Sequence, residues 1–123
     1  MAVLDASVIL AWLQDEPGSE AVDDLFLNGV ISAVNWSEVV QKTRQHGRDP
    51  REAGALLEAL GLTVVPATKE DAERAAALWR VRTALSLADR FCIALGSRLR
   101  TDVATAERGW TKLDLDVDVT VIR

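Results

Sequence analysis

Short apolar runs alternate along the chain with longer stretches whose apolar residues recur every three or four positions. Ala2 to Leu4 is apolar and short, which predicts a buried strand. Ser7 to Leu13 follows as a short helix, broken by Pro17-Gly18. Ser19 is placed to cap a second helix. Glu20, Asp23 and Asp24 would suit the positive end of its dipole, Ala21, Val22, Leu25 and Phe26 its apolar face, and Asn28-Gly29 its close. Val30 to Val34 predicts a second strand. Asn35 or Ser37 then opens a helix to about Gln45, with Glu38 in its first turn. His46-Gly47 ends that helix and Asp49-Pro50 opens the next, where Ala53, Leu56, Leu57 and Leu60 recur at helical spacing before a Gly61 C-cap. Leu62 to Val65 predicts a third strand, stopped by Pro66.

Thr68 begins a long helix, with Glu70, Asp71 and Glu73 near its start and Arg80 and Arg82 near its end, as the helix dipole favours. Ala72, Ala75, Ala76 and Trp79 would give it a small-residue packing face. Ser86 to Gly96 predicts another apolar helix, Asp102 to Thr105 a fourth strand and Val117 to Ile122 a last one. This alternation predicts one α/β domain over residues 1–123. Its sheet is mainly parallel, in a three-layer α/β/α arrangement with helices on both faces.

Four of the 19 acids interrupt apolar segments at strand ends or helix starts: Asp5, Glu38, Asp89 and Glu107. The other acids suit polar faces and first turns, and the tail acids Asp114, Asp116 and Asp118 suit the surface. Each of the four also has a plain structural reading. Asp5 and Glu38 could cap or favour a helix N-terminus. Asp89 stands three residues after Ser86, at capping-box spacing, and Glu107 could be a loop acid. In a parallel sheet, however, strand ends and the helix starts after them emerge on one edge. Four carboxylates gathered there would repel each other unless a hard cation neutralised them. An oxygen-only ligand set points to Mg²⁺ or Mn²⁺, and the absence of a nearby histidine argues against zinc. Such a site suits phosphodiester hydrolysis.

The net charge of −5 argues against bulk attraction to nucleic acid, yet acids that hold metal contribute to it, and a bound cation reverses the local sign. The basic run Lys42, Arg44, His46, Arg48 and Arg51 reads as an RNA phosphate guide or as a solvated helix end. The single cysteine, Cys92, allows no internal disulfide and reads as a small core residue. With no membrane span and no secretory leader expected, a cytoplasmic location follows.

The segments Leu4 to Leu13, Val34-Asn-Trp-Ser-Glu-Val-Val40, Ser86 to Leu95 and Ala104-Thr-Ala-Glu-Arg-Gly-Trp110 together resemble the PIN-domain ribonucleases. More closely, they look like the VapC-type toxins of toxin–antitoxin pairs. The resemblance implies a parallel sheet between helices and a Mg²⁺-dependent (or Mn²⁺-dependent) endoribonuclease. Asp5, Glu38 and Asp89 match the family's first three metal acids. Ser7 and Thr105 match hydroxyl residues beside the first and fourth acids, where they would hydrogen-bond the ligands. Glu107 departs from the family's usual Asp. Its extra methylene moves the carboxylate by roughly 1.3 to 1.5 Å, which would weaken a second-metal site or the activity. The resemblance also implies a VapB-type antitoxin partner, operator DNA contacted only through that antitoxin, an RNA substrate and a homodimer. Trp12, Leu25 and Phe26 could serve those interfaces or the core.

Two other classes compete with the nuclease. A catalytically weak PIN-like protein- or RNA-binding module gains weight from Glu107. A phosphoryl-transfer domain of the haloacid type would need an Asp two residues after Asp5, where this chain has Ser7.

Overall fold

The computed structural model describes residues 1–80 and 84–123, so the expectation for Arg82 lies outside the described residues. Five strands form one sheet: β1 (Ala2–Leu4), β2 (Val30–Ser32), β3 (Thr63–Val65), β4 (Asp102–Thr105) and β5 (Val119–Val121). Their order is β3-β2-β1-β4-β5, and every adjacent pair is parallel. The helices are α1 (Ala6–Leu13), α2 (Asp23–Phe26), α3 (Ala33–Gln45), α4 (Pro50–Ala59), α5 (Lys69–Ala77) and α6 (Leu87–Leu99).

Strand alternation divides the interior into two cores. Leu4, Ile31 and Ala104 pack on one face with Val8 and Ile9 of α1, Val39 of α3 and Leu57 of α4. Val3 and Val103 pack on the other with Cys92, Ile93 and Leu95 of α6 and Leu78 after α5. The result is the expected three-layer α/β/α architecture. β1 lies at the centre, with Val3 and Leu4 fully buried, whereas the edge strand β3 exposes Thr63 and Val64.

Several local expectations change. Ser19 does not cap a helix: a 3-10 turn at Ser19–Ala21 precedes a single turn, α2, whose Phe26 is fully buried with an edge-on Trp12. The last strand is shorter than its apolar run. The small-residue face of α5 does not pack as a unit, because Ala72, Ala76 and Trp79 are exposed and only Ala75 is buried. The buried position beside it belongs to Asp71, 1% exposed, which Arg98 of α6 grips through two hydrogen bonds of 2.7 and 3.0 Å. An ion pair therefore takes part of the α5–α6 seam, beside the buried Ala75, where a wholly apolar contact is expected. Arg80 lies beyond the end of α5. On α4, Leu57 is buried while Leu56 and Leu60 stay largely exposed, since that helix covers the margin of the sheet.

Candidate functional site

The strand order reverses at β1. The chain steps outward from β1 to β2 and β3, then returns to place β4 on the other side of β1. Where parallel order reverses, the crossover helices leave in opposite directions and a crevice opens beyond the carboxyl ends of the strands. Asp5 follows β1 and Thr105 ends β4, so both border that crevice. Asp5 has extended backbone (φ −73°, ψ 153°) and continues the parity of Val3, which turns its side chain to the α6 face.

Asp5 occupies the N-cap position of α1, but its side chain caps nothing. Its carboxylate is 3% exposed and is held from both sides of the crevice. Ser7 Oγ donates to Oδ2 at 2.6 Å and Thr105 Oγ1 donates to the same oxygen at 3.1 Å. Each hydroxyl has one proton to give, so both protons go to Asp5. Their lone pairs accept from the following loop: Ala106 N–H donates to Ser7 Oγ at 2.9 Å and Glu107 N–H to Thr105 Oγ1 at 3.0 Å. Ser7 and Thr105 thus pin the end of β4 to Asp5 and fix one carboxylate oxygen. Oδ1 accepts no hydrogen bond from a described residue and is not among the sealed, unpartnered atoms.

Burial pushes the Asp5 carboxyl up from 3.8 to about 6. The Ser7 and Thr105 hydrogen bonds oppose that rise, while the charges of Asp89 and Glu38 add to it. The Cys92 thiol is also pushed up, by burial first and then by the charges of Asp5 and Asp89. Asp5, Asp89 and Glu38 therefore share one electrostatic neighbourhood beneath the crevice.

The helices deliver the other acids differently from the sequence expectation. α3 starts at Ala33, capped by Ser32, so Glu38 lies in the second turn and is not a cap. Ser32 could open the helix early because its hydroxyl takes the Val34 N–H at 3.2 Å. Asp89 does complete a capping box: Ser86 N–H donates to its Oδ2 at 2.9 Å, and its own N–H donates to Ser86 Oγ at 3.1 Å. The cap and site readings coexist there, since the box orients the carboxylate at the start of α6. Glu107 is exposed, and its fixed group is its N–H. It shares with Asp89 a cleft of about 270 Å³ walled by Leu85, Trp110 and Leu113. Among the described residues, no three His, Cys, Asp or Glu side chains stand ready to hold a metal ion. The donors still have the character a hard divalent cation needs: carboxylate oxygens only, one of them free on a desolvated Asp beside like charges.

One buried polar residue, by sequence a possible helix opener, has a further contact. Asn35 is fully buried and its Nδ2 donates to Ala88 O at 3.0 Å. Its position on the Asn35, Val39, Thr43 stripe, the buried face of α3, was the available signal.

The sequence profile of the PIN domain matches residues 2–115. The chain belongs to the PIN-domain family. No curated protein matches its sequence. Among solved structures, a toxin–antitoxin complex from Klebsiella pneumoniae contains a chain similar to this PIN domain. Its TM-score is 0.79 at 19% identity, covering 100% of this chain and 98% of that one. The toxin VapC20 of Mycobacterium tuberculosis, which cleaves the sarcin–ricin loop, gives a TM-score of 0.71 at 12% identity, covering 96% and 99%. At these identities the likeness is one of fold, and it extends over nearly the whole of each chain. No helix among the described residues of this PIN domain is long and apolar enough to cross a membrane.

Proposed function

We propose that this PIN-domain chain is a Mg²⁺-dependent endoribonuclease toxin of a toxin–antitoxin pair, acting on RNA in the cytoplasm. Asp5, Glu38, Asp89 and Glu107 would hold the ion, with Mn²⁺ as a substitute. The observation that carries this reading is the buried Asp5 at the strand-order reversal, charged against Asp89 and Glu38 and with one oxygen free. A divalent ion at these acids would supply Lewis-acid polarisation of the phosphate and activation of water.

The remaining work belongs to the side chains of this chain. Ser7 and Thr105 hold Asp5 Oδ2 so that Oδ1 is presented in one orientation. The Ser86 capping box holds Asp89. The cleft lined by Asp89, Glu107, Leu85, Trp110 and Leu113 would set apolar walls beside a phosphate bound there. The likeness to a chain of a toxin–antitoxin complex supports an antitoxin as partner. Operator DNA would be met through that antitoxin, and the toxin itself would form a homodimer.

A second reading, a PIN-like binding module with weak cleavage, is favoured by the exposed Glu107 and by the acids not being gathered into a ready cage. Incubating an RNA panel with wild type and Asp5→Asn, in Mg²⁺ and in EDTA, separates the two. The nuclease reading expects cleavage by wild type in Mg²⁺, none in EDTA, and a large loss in Asp5→Asn. Equal behaviour of the two proteins would leave the binding-module reading.

A further inference from the structure

Taking the acids as the metal ligands proposed above, we propose that Asn35 is a positioning residue that sets the separation of Glu38 on α3 from Asp89 on α6. Asn35 and Glu38 are one helical turn apart, so they project from neighbouring positions of α3. The Asn35 amide reaches across to the carbonyl of Ala88, the residue immediately before Asp89. That bond joins the two acid-bearing helices where α6 begins. The Ser86–Asp89 box fixes Asp89 only relative to its own helix. The Asn35 bond fixes the start of that helix relative to α3.

The energetics favour a specifying role over a stabilising one. Asn35 is 0% exposed, and its Oδ1 has no hydrogen-bond partner among the described residues. A sealed acceptor without a donor costs the fold, and an apolar side chain of the same volume would remove that cost. Thr43, two turns along the same buried stripe, offers a contrast. Its hydroxyl donates at 2.6 Å to Val39 O of its own helix and joins nothing to α6. Of these two buried polar side chains of α3, Asn35 is the one that links the acids.

The experiment compares wild type with Asn35→Leu, which keeps the volume and removes the donor, and with Thr43→Val as a control for loss of a buried α3 hydrogen bond. Three quantities are read: the backbone amide resonances of Glu38 and Asp89 in metal-free protein, the Kd for Mn²⁺ by calorimetry, and kcat and KM on RNA. Asn35→Leu is expected to move the Asp89 resonance, to weaken Mn²⁺ about 10-fold and to lower kcat with KM unchanged. Thr43→Val is expected to change none of them. Should Asn35→Leu not fold, Asn35→Ser replaces it in all three measurements. Unmoved Asp89 resonances with wild-type Mn²⁺ affinity overturn the assignment, as does an equal loss in Thr43→Val. If wild type binds no Mn²⁺, the metal reading fails by itself, and the resonances alone decide the role of Asn35.

Discussion

Asp5 costs the folded chain free energy in the absence of a cation. Its carboxyl is raised to about 6 in the folded state against an ordinary 3.8, so the native protein binds the proton more tightly than the unfolded chain does. Stability should therefore fall as pH rises from about 4 to about 6, and stay reduced above that. The ionised form disfavours folding by about 3 kcal/mol at most. Asp5→Asn removes the charge and keeps an oxygen for Ser7 and Thr105. In EDTA it should melt higher than wild type at pH 7.5, by the equivalent of about 1–3 kcal/mol, and no higher at pH 4. Melting scans at the two pH values check this, and a variant that melts lower at pH 7.5 would show that burial of Asp5 carries no such penalty. At this scale the acids were legible because a carboxylate inside an apolar run is conspicuous. The role of Asn35 was not, since an amide near a helix start reads as an ordinary cap.

Asp49, Thr68 and Ser86 cap α4, α5 and α6 as their sequence predicts, whereas the starts of α2 and α3 differ, because several polar residues compete there. Ser32, rather than Asn35 or Ser37, caps α3, so the helix starts at Ala33 and Glu38 lies half-buried in its second turn. α6 runs three residues past Gly96 to Leu99 and closes at Arg100, whose φ is +53°. Gly96 is there for packing: a Cβ at that position would lie 2.5 Å from Val103 Cγ2 of β4. Val103 is fully buried and stiff at χ1, so it has little room to yield. Gly96→Ala should cost about 1–3 kcal/mol through overpacking, despite the better helix propensity of alanine. Urea unfolding at constant pH measures it, and a neutral or stabilised variant would show that α6 can lift from the sheet. The α5–α6 seam is mixed: the alanine-rich face predicts close apolar packing, but of it only Ala75 is buried, and the Asp71–Arg98 ion pair lies beside it.

For the molecule as a whole, a net charge of −5 and a desolvated acid at the end of the central strand would couple any cation binding at Asp5 to folding stability. Binding requires the ionised acid, so Mg²⁺ should raise the melting temperature more at pH 8 than at pH 5, and EDTA should reverse the gain. NaCl of matched ionic strength is the control, and an equal shift with NaCl would reduce the effect to general screening of surface charge. The sequence by itself determined the succession of strands and helices, the parallel sheet and the acids at strand ends. Periodicity, caps and breakers act over a few residues and are written locally. Only the tertiary structure decided that Asp5 would turn from its own helix to Thr105, that Asp71 would be buried by Arg98, and that Asn35 would reach Ala88. Those partners lie 100, 27 and 53 residues apart along the chain. Their meeting depends on strand order and sheet face, which no local pattern encodes.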